Sequence, residues 1–159
     1  MMDQTDMDDR FAILMISINT GNRALPLIWT VEKGAANIGF DKQRDLLEFL
    51  EKLMPKHAKH AKIVLMADRF YPSANLFNWL QEHKWGYRLR LKGNFKVDIG
   101  NDDVKTTKDL ASGIKYRKEI DVKLFQSGVK TNIGVLHEPG HDEPWIIAME
   151  CVPTKETIL

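Results

Sequence analysis

Apolar and polar positions along this chain repeat with a period near two in some stretches and near 3.6 in others, and the change of period separates strands from helices. The stretch Lys62 to Phe70, Lys-Ile-Val-Leu-Met-Ala-Asp-Arg-Phe, runs without a polar break into Asp68. A short, wholly apolar run followed by a helix signal predicts a central strand buried on both faces, and in open α/β sheets chemistry gathers at the carboxyl ends of such strands. Asp68 stands at that end. Capping the next helix would be a plainer role for it, but Ser73 is the better N-cap and Ala74 begins the helix.

Met1 to Thr5 reads as a strand, followed by a turn at Asp6, Asp8 and Asp9. Phe11 to Ile18 and Arg23 to Thr30 are extended segments joined by Asn19-Thr20-Gly21-Asn22, which predicts a hairpin whose second strand Pro26 pushes towards an edge or a bulge. After a loop from Gly34 to Gly39, Asp41 caps a helix with Leu46, Leu47, Leu50, Leu53 and Met54 on one stripe, ending at Pro55. A second helix spans Ala74 to about His83, with Leu76, Phe77, Trp79 and Leu80 turned inward, and ends near Gly86. The crossover makes the Asp68 strand parallel to the next strand, Tyr87 to Lys92. There Arg88, Arg90 and Lys92 share one face, and Tyr87, Leu89 and Leu91 the other. From Phe95 onward short polar strands predominate, with a hairpin of Lys118–Gln126 and Val129–His137 about Ser127-Gly128. A last apolar strand spans Trp145 to Met149, and Thr154-Lys155-Glu156 opens a helix. The fold class expected is α/β.

With 159 residues and 43% apolar content, the chain suffices for one domain with a modest insertion. Its net charge of +1 hides a local excess: between Lys56 and Lys96 nine Lys or Arg face only Asp68 and Glu82. A local excess is what a polyanion senses. No apolar run of membrane-spanning length occurs and four aspartates lie in the first ten residues, so a soluble, cytoplasmic protein without a signal peptide is expected. The single cysteine, Cys151, leaves no internal disulfide and no cysteine-based metal site.

Two histidine patterns are set aside. His137-Glu138-Pro139-Gly140-His141 has the spacing of a zinc-protease helix, but Pro-Gly at its centre forbids that helix. His57 and His60, with Lys56 and Lys59 around them, read as a solvated basic turn. The remaining constellation is acidic. Asp3 and Asp68, from neighbouring strands, can hold one or two hard divalent cations through oxygen ligands, as phosphodiester chemistry uses them. Arg88, Arg90 and Lys92, with Arg69, then provide phosphate contacts beside the carboxylates, positioning a backbone without reading bases.

Asp3-Gln4-Thr5, Arg23-Ala24-Leu25-Pro26-Leu27-Ile28-Trp29, Ala67-Asp68-Arg69-Phe70-Tyr71 and Tyr87-Arg88-Leu89-Arg90-Leu91-Lys92-Gly93-Asn94 resemble, in order and spacing, the catalytic domain of bacterial insertion-sequence transposases of the DDE class. The resemblance covers most of the chain and is strongest from Asp3 to Lys96. It implies an RNase H-like mixed sheet, antiparallel hairpin strands followed by parallel ones with helices on both faces. By it, residues 1–94 are the core, 95–150 a β-rich insertion and 151–159 the start of a truncated catalytic helix. Asp3 and Asp68 match the family's first two catalytic aspartates. The implied cofactor is Mg²⁺ or Mn²⁺. The implied partners are the DNA of transposon ends and a full-length transposase or second copy, in a bacterial cytoplasm.

The family's third ligand, a glutamate within a pattern like Tyr-x-x-Arg-Trp-x-Ile-Glu, has no counterpart here. Glu150 falls at a strand end and Glu156 in a first helical turn, so neither inherits that role. Cleavage and joining of DNA is therefore the expected ancestry, and the chain by itself is expected not to cut. A non-catalytic DNA-binding or regulatory role is the alternative.

Overall fold

The computed structural model describes residues 1–8, 10–21, 23–34, 37–55, 61–101 and 103–158. Ten strands form one mixed sheet in the order β3-β2-β1-β4-β5-β10-β9-β8-β6-β7. The first five are β1 (Met2–Met7), β2 (Phe11–Thr20), β3 (Arg23–Lys33), β4 (Val64–Ala67) and β5 (Gly86–Arg90). They are followed by β6 (Lys96–Asp98), β7 (Val104–Thr106), β8 (Tyr116–Leu124), β9 (Val129–Leu136) and β10 (Trp145–Met149). The helices are α1 (Phe40–Leu53), α2 (Ala74–Glu82), α3 (Thr107–Ala111) and α4 (Lys155–Ile158).

The β2–β3 hairpin turns at Gly21, whose φ of +65° suits a residue without a side chain. Its register shifts between Ile16, opposite Ile28, and Ser17, opposite Pro26. Proline cannot donate to the ladder, so the bulge falls there, on the edge strand β3. Ser73 caps α2, its hydroxyl accepting from the Leu76 amide at 3.2 Å, and Leu76, Phe77, Trp79 and Leu80 are buried. α2 thus returns the chain to a β5 parallel to β4. α1 begins two residues earlier than expected: Gly39 is its N-cap without a side-chain bond, and Asp41 lies in the first turn. Leu53, expected on the buried stripe, is exposed.

The expected helix-flanked, RNase H-like α/β fold is not what forms. About 43% of the described residues are strand and 22% helix. Residues 95–150 do not stand apart from the sheet, because β10 pairs antiparallel with β5 on one side and with β9 on the other. α1, α2 and α3 contribute to one core on a single face, with Leu47, Leu80 and Leu110 among its residues. Among the described residues, the opposite face carries only the four-residue α4, whose Ile158 packs with Leu136, Ile147 and Met149. β10 therefore divides its side chains, Ile146 and Ala148 to the first core, Ile147 and Met149 to the second. Trp29, Val31, Val64 and Met66 stay exposed. No described helix is long and apolar enough to cross a membrane.

Candidate functional site

Met2 pairs with Ala67 in the parallel β1–β4 ladder, so the next residue on each strand, Asp3 and Asp68, emerges at the same level on neighbouring chains. Strand spacing puts their backbones about 5 Å apart. Both line one cleft with Gln4, Asp6, Asn37, Gln43 and Tyr71. Gln4 fastens the wall: its Oε1 accepts from the Ile38 amide and its Nε2 donates to Asp6 Oδ1, each at 2.9 Å. Gln43 Nε2 donates to the Ile38 carbonyl at 2.8 Å, while its buried Oε1 has no hydrogen-bond partner among the described residues. Asp3 Oδ1 accepts from the Gln4 amide at 2.9 Å. Burial, and then the negative charges of Asp3, Asp68 and Asp6, push the Tyr71 phenol far above its ordinary pKa. Tyr71 is therefore held as a neutral phenol beside the carboxylates.

Every side-chain donor to a cation in this cleft is oxygen, which suits a hard ion such as Mg²⁺ or Mn²⁺ better than a soft one. The cleft's volume of about 200 Å³ leaves room for a hydrated cation. Among the described residues no three His, Cys, Asp or Glu side chains are grouped tightly enough to form a ready metal centre. The donor set thus fits a cation that keeps much of its water, held by Asp3 and Asp68.

A basic flank adjoins the carboxylates. Arg90 Nη1 lies 3.9 Å from Asp68 Oδ1, and its guanidinium stands over the Trp145 ring, 5.1 Å from the centroid. Lys92 Nζ stands 4.8 Å from the Phe70 centroid. Arg69 Nη1 meets Glu143 Oε2 at 3.3 Å. Arg69 and Arg90 line a second cleft of about 460 Å³ with Lys108, His137, Asp142 and Glu143.

Arg88 is not part of this flank. Its Nη1 donates to Glu150 Oε2 at 2.8 Å and to the Tyr87 carbonyl at 2.7 Å. Its Nε donates to the Thr157 carbonyl at 3.0 Å, and Nη2 to Cys151 Sγ at 3.3 Å. Alternation along β5 correctly puts Arg88 and Arg90 on one face, but β10 brings Glu150 over Arg88 and turns its donors into the fold. The same pairing removes Glu150 from any ligand role, since its Oε2 also accepts from the Tyr87 amide at 2.9 Å and its Oε1 faces Lys62 Nζ at 3.2 Å. Burial raises the Glu150 pKa, but the Tyr87 amide, Lys62 and Arg88 outweigh it and hold the carboxyl below its ordinary value. Glu156 is exposed on α4.

Asp6, expected in a turn, lies within β1 and on the cleft. Gln43 extends the Leu46–Leu47 stripe back by one helical turn, a polar residue at an apolar position, and that signal is legible in sequence. Tyr71 and Glu143 carry no such signal, because loops bring them to the site. His137 and His141 lie off any helix, His137 Nε2 bonding the His141 carbonyl at 2.9 Å. His57 and His60 lie outside the described residues. No protein-family model matches the chain, and no curated protein matches it.

Proposed function

We propose that this chain carries the aspartate pair of a DDE-class insertion-sequence transposase catalytic domain, working on DNA in a bacterial cytoplasm, and that by itself it binds a divalent cation and DNA without cutting. The observation that supports this reading is the emergence of Asp3 and Asp68, 65 positions apart in the chain, side by side on one all-oxygen cleft with Arg90 against Asp68. Asp3 and Asp68 would hold Mg²⁺ or Mn²⁺, which supplies Lewis-acid stabilisation of a phosphodiester's oxygens when bound. Tyr71 offers a hydrogen bond and no charge. Arg90, Arg69 and Lys92 neutralise phosphates approaching Asp68. With Glu150 engaged by Arg88 and Lys62, and with Asp6 Oδ1 accepting from Gln4, Asp3 and Asp68 are the carboxylates left to orient a cation, and a loosely oriented cation supports little in-line chemistry: a misplacement of about 1 Å can cost on the order of a hundredfold in rate. A full-length transposase or second copy would have to complete the site.

The test is to titrate Mn²⁺ into the purified chain, following the loss of its free-ion electron-paramagnetic-resonance signal, and to incubate the chain with supercoiled plasmid and Mg²⁺ or Mn²⁺. Binding abolished by Asp68→Asn, with no Asp68-dependent nicking, is expected. Mn²⁺ binding indifferent to Asp68→Asn sinks the site, and Asp68-dependent nicking sinks the claim that two carboxylates are too few. A purely regulatory role at transposon ends is the second reading, favoured by the engagement of Glu150. It predicts DNA binding indifferent both to the cation and to Asp68→Asn.

A further inference from the structure

Phe70 stands two residues beyond Asp68 and lines the same cleft, yet its side chain is 58% exposed. A lone exposed apolar residue needs no explanation. Phe70 differs because a cation, Lys92 Nζ, is poised on its ring. The arrangement recurs at Arg90, which covers Trp145, and the His141 ring meets the Trp145 ring edge-on at 6.3 Å between centroids. Two pairs of an aromatic ring and a cation thus accompany the carboxylate, one through Phe70 on the same cleft and the other through Arg90, which reaches Asp68 and Trp145 at once.

Duplex DNA presents phosphates to such a surface and keeps the faces of its bases stacked inside. Cations alone would serve it, and exposed rings would add nothing. An unpaired strand presents both phosphates and base faces, and basic grooves interleaved with aromatic rings are how proteins hold one. Resting on the DNA reading above, we infer that the strand engaged beside Asp68 is unpaired, with a base stacked on Phe70 and the flanking phosphates on Lys92, Arg69 and Arg90. The acidic neighbours do not forbid this. Glu143 occupies Arg69 in an exposed ion pair, with side chains 44% and 66% accessible, and such pairs are worth about 1 kcal/mol or less, so a phosphate can displace it. Asp142 lines the second cleft and not the Asp3 cleft.

The experiment compares the full chain binding a fluorescent single-stranded oligonucleotide and a duplex of the same length and salt, with 2-aminopurine reporting stacking. The unpaired strand should bind more tightly than the duplex. Phe70→Ala should weaken it by on the order of 10- to 100-fold and relieve the 2-aminopurine quenching. Phe70→Tyr should keep both, and duplex affinity should not change with either. Unaltered melting temperatures would show that these exposed substitutions leave the fold intact. Equal losses for strand and duplex, or no loss and persistent quenching, overturn the inference while the DNA reading stands. Absence of any binding that depends on Arg69 and Arg90 overturns both.

Discussion

Arg88 and Glu150 form a clasp between β5, the end of β10 and α4, and the clasp is where a residue's role differs most between sequence and structure. The Arg88 side chain is 17% exposed and its charge is matched by Glu150 and by two carbonyl oxygens. Removing it leaves a partly buried carboxylate with only the Tyr87 amide and Lys62 as partners. Hydrogen bonds to charged groups are worth about 1.5–3 kcal/mol, so Arg88→Ala should lower the melting temperature by several degrees in a calorimetric scan, while leaving DNA affinity per folded molecule unchanged. Because the folded-state pKa of Glu150 is depressed, its contribution is fully present above the ordinary value of 4.5 and is lost as pH falls through the folded value. Unfolding free energy should therefore decline more steeply below about pH 4.5 in the native chain than in Glu150→Gln. Parallel acid limbs would remove the clasp from the stability of the fold.

At the scale of elements, α4 is too short to be stable by propensity and is held by docking. Its seat is Gly134 on β9, where an added Cβ would lie 2.6 Å from Ile158 Cδ1 and 3.0 Å from Pro153 Cβ. Neither neighbour has room to give, since Ile158 is buried against Leu136 and Met149. Gly134→Ala should therefore lift α4 from the sheet, costing about 1–3 kcal/mol. Hydrogen exchange over residues 153–158 should accelerate while α2 stays protected. Unchanged exchange there would mean that the helix is held elsewhere.

At the scale of the molecule, charge placement outweighs net charge. A net charge of +1 predicts no affinity for DNA, but Arg69, Arg90 and Lys92 are gathered beside Asp68. Removing one cation that neutralises a phosphate should reduce the slope of log affinity against log salt by about one unit. Arg69→Ala and Arg90→Ala should each flatten the slope so, and Arg88→Ala should not, as measured by fluorescence anisotropy from about 50 to 200 mM salt. A slope that flattens equally with Arg88→Ala would contradict the separation of that residue from the basic flank.

Strand period, turn chemistry and caps are local properties. The order of residues alone therefore dictates the β2–β3 hairpin with its bulge at Pro26, Ser73 at the start of α2, the parallel β4–β5 pair and the placing of Asp68 at a strand end. Asp3 beside Asp68 is not local: it rests on β1 pairing with β4 in the register Met2–Ala67, which sets the start of one strand beside the end of the other. Which strands complete the sheet is not local. The pairing of β10 with β5, joining Ile147 to Arg90, makes one ten-stranded sheet where helices on both faces were expected. Only that pairing brings Glu150 onto Arg88 and Trp145 under Arg90, because a period of two says which face a side chain takes and nothing about what another strand will set against it.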